Sequence, residues 1–176
     1  KTMHWISLIL TSLLENESCD IIEILEDYCK TKVFESKFEN SSGFGFERIV
    51  FTYLDYLLYK NGYSYLGKEI IPPLYDEWQF QFRSSIEHFQ PQNPVEGESW
   101  EADDLDGFGN LALITVSGNS KFSNLPPEGK ITSYPSIIEQ SLKLKIMKEL
   151  VNFDDEKWTE EKARTHKEEM FRVLKR

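Results

Sequence analysis

Between residues 46 and 60 the apolar side chains recur with the period of an α-helix. Phe46, Ile49, Val50, Tyr53, Leu54, Leu57 and Leu58 follow the i, i+3, i+4, i+7 rule throughout. A stripe this continuous must be buried, so the rest of the chain has to build a core against it. Asn61-Gly62 stops the helix. Upstream, residues 3–15 and 18–36 read as two further helices, the second with Ser18 as N-cap and acids in its first turn. The run Asn40-Ser41-Ser42-Gly43 is a loop, and Pro72-Pro73 closes a helical N-terminal lobe over residues 1–75.

The period then changes. Trp78, Phe80 and Phe82 alternate with Gln79, Gln81 and Arg83, a strand signature that residues 85–89 extend. Pro91 and Pro94 break it, and an acidic loop follows over residues 96–106. Gly107-Phe108-Gly109 is a turn, residues 111–116 read as a second strand, and Ser117 or Gly118 starts a short helix that ends at Pro126-Pro127. In the last 40 residues Ser136-Ile137-Ile138-Glu139 reads as a capping box opening a helix to about Val151, and a final helix starts near Thr159. The expected class is α+β, mostly helical, with a strand–strand–helix core over 76–135 between the N-terminal lobe and a helical extension over 136–176.

The 176 residues are 40% hydrophobic and 14% aromatic, the composition of a folded chain with one sizeable core or two small lobes sharing one. The apolar run 5–14 is shorter than the roughly 18–20 residues a membrane span needs, and it lacks the basic leader and cleavage site of a signal peptide. Cys19 and Cys29, ten apart in one expected helix, lie about 15 Å from each other, too far for a disulfide. With no CxxC pair there is no cysteine zinc site, and a reducing cytoplasm is the expected compartment. The chain opens on Lys1 rather than Met, so it is expected to be a piece of a longer protein.

Of the three histidines, His88 alone sits at a strand–loop junction with a carboxylate, Glu87, directly before it. Singly, such a pair is a common surface feature and a loop Asn is a turn former. As a set, Glu87, His88, Asn110 and Asn119 supply what metal-assisted phosphodiester hydrolysis requires. An imidazole suits the base that takes a proton from water near neutral pH. A hard cation such as Mg²⁺ needs oxygen donors and keeps several waters and the substrate phosphate. Asn119 offers a side-chain carbonyl at the start of the short helix, and Asn110 can pin the His88 loop by hydrogen bonds. On a strand, residues 87 and 88 point to opposite faces, so a bulge or the strand end is needed to bring both to one phosphate.

The string Ser85-Ile86-Glu87-His88-Phe89-Gln90-Pro91 resembles the (D/E)-H-I-x-P element of HNH nucleases. Gly109-Asn110-Leu111-Ala112-Leu113-Ile114 resembles their central G-N-L-x-x-L element, and Asn119, nine residues on, falls where the third element carries its metal ligand. Asn124, Pro126 and Lys130 look like the tail of that element. The closest resemblance is to the HNH subfamily that forms the C-terminal half of GmrSD-type, modification-dependent Type IV restriction enzymes, with Ser136, Trp158 and a basic last helix matching its downstream pattern. The resemblance implies a ββα-metal fold, His88 as general base, Glu87 and Asn119 as ligands of Mg²⁺ or Mn²⁺, and Asn110 as the residue holding the His88 loop. It also implies DNA as substrate, phage restriction as the setting, and an upstream ParB-like nucleotide-binding domain or partner subunit.

Arg83, Lys121, Asn124 and Lys130 are the candidates for nucleic-acid contact. His166, near Arg164, Lys167 and Arg172, reads as part of a solvated face or as a phosphate contact, and Lys143, Lys145 and Lys148 as one basic patch on a helix. Against these stands a net charge of −10, which disfavours unaided binding to a polyanion. Two readings accommodate it: a partner or upstream segment supplies the DNA affinity, or the acidic loop covers the site until displaced. The competing functions are a catalytically decayed HNH-fold interaction module and an RNA-cleaving nuclease or toxin.

Overall fold

The structure is a computed structural model and describes residues 4–95, 97, 99–153 and 157–176. Helices α1 (His4–Glu15), α2 (Ile21–Glu35) and α3 (Arg48–Asn61) form the N-terminal part. Asp20 rather than Ser18 caps α2, its Oδ1 accepting from the amides of Ile22 and Glu23 at 2.9 and 3.2 Å. Cys19 therefore precedes the helix that holds Cys29, and both thiols are free. The stripe on α3 is buried as its period demands, with Val50, Phe51, Tyr53, Leu54 and Leu58 in the core.

A hairpin follows that the sequence reading assigned to no strand, β1 (Tyr63–Tyr65) against β2 (Lys68–Ile71). Its turn is Leu66-Gly67, both with positive φ, the two-residue connection that matches strand twist. Conversely, the alternating aromatics of 78–82 form no ladder. Trp78 is buried and donates its indole N–H to the Glu139 carbonyl at 2.9 Å, while Phe80 and Phe82 are exposed. The alternation there describes an extended segment with no neighbouring strand to pair with.

Strand β3 (Ser85–His88) pairs antiparallel with β4 (Leu111–Ile114), in the register Ile86↔Leu113, Glu87↔Ala112 and His88↔Leu111. Between them lie α4 (Ala102–Leu105) and a 3₁₀ turn, Phe108–Asn110. Helix α5 (Val116–Phe122), capped by the Thr115 hydroxyl, returns from β4 to pack on β3. A strand–strand–helix unit is thus present within a mostly helical α+β chain.

The remainder is α6 (Pro127–Ser133), α7 (Pro135–Ile138), α8 (Leu142–Asn152) and α9 (Glu160–Leu174). The expected capping box is absent. Ser136 lies inside the single turn α7, and the N-cap of α8 is Ser141, whose hydroxyl accepts from Leu144 N at 3.2 Å. One hydrophobic cluster runs from Val33 to Leu174, with β4 buried along its whole length between α3 and its neighbours. Among the described residues no helix is long and apolar enough to cross a membrane.

Several charged side chains are inside this core, and three sequence expectations change as a result. Arg83 is buried, its guanidinium held by Asp55 Oδ2 at 2.5 Å and by the Leu113 carbonyl at 3.2 Å, so it is no surface contact for nucleic acid. Lys143 is buried too, donating to the Leu111 carbonyl at 2.6 Å over the ring of Phe108. The expected basic patch on α8 loses its first member. His166, expected at a solvated face, is buried, and neither ring nitrogen finds a partner among the described residues.

Candidate active site

The pairing of β3 with β4 fixes where the reactive side chains emerge. His88 is the last residue of its strand, in regular register, so the strand end rather than a bulge turns Glu87 and His88 toward one cleft. That cleft, of about 220 Å³, is lined by Phe44, Glu87, His88, Pro91, Asn119 and Asn124 among others. Asn119 arrives there because Thr115 caps α5 and residue 119 lies one turn on, its backbone N–H donating to the Thr115 carbonyl at 3.0 Å. The two side chains that had to meet, at 88 and 119, face the same space.

Asn110 is fully buried and all its polar atoms are engaged. Its Oδ1 accepts from Gln90 N at 2.8 Å and from the Trp158 indole at 3.0 Å, and its Nδ2 donates to the carbonyls of Gln90 and Leu105 at 3.1 and 2.9 Å. It ties the segment just after His88 to the loop before β4. The Trp158 contact, from the C-terminal segment, has no local signature in sequence.

Lys130, expected as a nucleic-acid contact, is completely buried. Its ammonium donates to Glu87 Oε1 at 2.7 Å and to the carbonyls of His88 and Phe89 at 2.5 and 2.9 Å. Its charge is used internally to fix the backbone beneath the cleft. Burial pushes the Glu87 carboxyl up and the Lys130 ammonium down, each opposed by the charge of the other. Of the basic candidates, Lys121 is exposed, as is the polar Asn124.

The acidic run supplies a residue that sequence reasoning missed. Asp106 Oδ1 stands 2.7 Å from His88 Nε2. Nothing in the pattern separates Asp106 from its acidic neighbours except its place directly before the turn that leads into β4. Phe44, from the 3₁₀ turn Gly43–Gly45, meets the imidazole edge-to-face at 5.4 Å, and it too was not foreseen.

Among the described residues no group of three or more His, Cys, Asp or Glu side chains could hold a metal ion. The side-chain oxygens on the cleft include the Glu87 carboxylate and the Asn119 amide, with Glu87 Oε2 left free of hydrogen bonds among the described residues. Two oxygen donors fit a hard cation that keeps water and substrate oxygens for the rest of its shell, and they do not fit a closed structural site.

A family model described as GmrSD restriction endonucleases, C-terminal domain, matches residues 31–173. The chain belongs to this family. The GmrSD C-terminal domain match takes in every residue of the cleft and leaves α1 and most of α2 before it. Membership points to a nuclease role of the restriction type, with DNA as a fitting substrate. No curated protein and no solved structure matches the chain.

Proposed function

We propose that this GmrSD C-terminal domain is a Mg²⁺- or Mn²⁺-dependent endonuclease of the HNH type, built on a ββα-metal core and hydrolysing DNA phosphodiesters in defence against phage. The observation that carries the reading is the convergence of Glu87, His88 and Asn119 on one cleft within a matched restriction-endonuclease domain.

His88 takes a proton from the water that attacks phosphorus, and the O3′ leaving group departs on the opposite side, giving a 5′-phosphate and a 3′-hydroxyl. Glu87 and Asn119 would hold the cation, which supplies charge stabilisation at the phosphate and the leaving oxygen. Asn110 keeps the His88 loop in place, and Lys130 fixes the Glu87 carboxylate and the carbonyls on either side of the strand end. Lys121 and Asn124 are the surface candidates for phosphate contact. Another part of the polypeptide, of the ParB-like nucleotide-binding kind, or a partner subunit would deliver the DNA.

The test is cleavage of plasmid, modified phage DNA and RNA with Mg²⁺ or Mn²⁺, beside EDTA controls and a His88→Ala variant. Cutting by the wild type, abolished by EDTA and slowed about 10²–10⁴-fold in the variant, is the expected result. An undiminished His88→Ala rate removes the assigned base. Cleavage confined to RNA makes the protein a ribonuclease, and no cleavage by the wild type makes it an interaction module.

A further inference from the structure

An imidazole acts as a base through one nitrogen, and which nitrogen is free depends on what the other one binds. In His88, Nε2 faces Asp106 Oδ1 at 2.7 Å, and a carboxylate oxygen can only accept there. Nδ1 has no hydrogen-bond partner among the described residues. It is also not one of the sealed, unpartnered atoms, which are Arg83 Nε and the two nitrogens of His166. His88 lines the cleft, and with Nε2 engaged by Asp106 it is Nδ1 that remains to serve it.

We propose that Asp106 is the positioning residue of the site: it holds His88 in the Nε2–H form and presents the Nδ1 lone pair to the cleft. This deepens the nuclease reading and its catalytic part rests on it. Asp106 is built for the task from both sides. Its amide donates to the Ala102 carbonyl at 2.9 Å and its carbonyl accepts from Gly43 N at 2.8 Å. Gly43, at φ +52°, lies so close that a Cβ on it would stand 3.2 Å from the Asp106 carboxyl. The next residue, Phe44, packs edge-to-face on the imidazole and limits its rotation. Asp104 makes two 2.8 Å hydrogen bonds with Arg164, fastening α4, which ends directly before Asp106, to α9. One carboxylate of the acidic run is thus part of the site's architecture.

Two measurements on the same proteins test this. Side-chain ¹⁵N shifts of His88 at about pH 8 read the tautomer of the neutral ring. Steady-state cleavage of the best substrate separates kcat from KM. The wild type is expected to be Nε2–H. Asp106→Ala is expected to give a mixture of tautomers and a kcat about 10–100-fold lower at nearly unchanged KM. Asp106→Asn, which keeps an acceptor of the same shape, recovers part of both and guards against misfolding as the cause. An Nδ1–H wild type, or an Asp106→Ala enzyme of unaltered kcat, overturns the proposal. A wild type that cuts no nucleic acid removes the nuclease reading separately. The tautomer then decides the Asp106 contact alone, Nε2–H supporting it and Nδ1–H overturning it.

Discussion

His166 is a basic residue placed where its charge has no outlet. Among the described residues both ring nitrogens are sealed without a partner, the Trp158 ring lies 6.3 Å away, and the Lys143 ammonium acts on the ring through space. Burial, reinforced by Lys143, holds its pKa well below 6.5. The unfolded chain takes up this proton near 6.5, and the folded chain only at lower pH. Between those values the unfolded state binds more protons, so stability is full above about pH 6.5 and falls as the solution is acidified, by at most about 1.4 kcal/mol per pH unit from this group. Thermal unfolding followed from pH 7.5 to 5 should therefore show a slope that His166→Leu removes; an unchanged slope in the variant would assign the acid sensitivity elsewhere. The sequence placed this residue among Arg164, Lys167 and Arg172 and hence on a wet face. Position along a helix does not tell which face meets the core when charged residues flank it on both sides.

At the scale of elements, one backbone contact decides how the C-terminal helix sits. A Cβ on Gly109 would fall 1.8 Å from the Ala163 carbonyl oxygen, so α9 crosses the turn before β4 at backbone contact. Gly109→Ala must push the two apart. It is expected to cost about 3 kcal/mol or more in urea unfolding, in the range of overpacked cores; a loss below about 1 kcal/mol would mean the helix shifts freely. Elements with their own period or punctuation were legible in sequence: α3 from its apolar stripe, β3 and β4 from the breaks around them, α5 from its place after β4. Glu87, His88, Asn110 and Asn119 could be singled out as candidates because they lie at ordered spacings along these elements. What escaped was set by distant partners. The 78–82 alternation found no strand to pair with, the α8 cap moved to Ser141, and Lys130, Arg83 and Lys143 turned inward because carbonyls and carboxylates far along the chain were there to receive them. Asp106 escaped for the same reason, since its partner is 18 residues away.

For the whole molecule the decisive quantity is a net charge of −10 around a cleft proposed to receive a polyanion. Three of the lysines and arginines, at 83, 130 and 143, are internal and offer no surface charge to offset it. Association driven by release of counterions from phosphates needs surface cations, so this chain alone is expected to bind duplex DNA no tighter than about 10 μM near 150 mM salt. Fluorescence anisotropy checks this directly, and submicromolar affinity would show that no other part need deliver the substrate. The two buried ammonium groups also divide labour across the fold. One grips the carbonyls of residues 88 and 89 and the other the carbonyl of residue 111, so the excursion between β3 and β4 is pinned at both roots. Severing either grip would therefore loosen the mouth of the cleft without altering the imidazole itself.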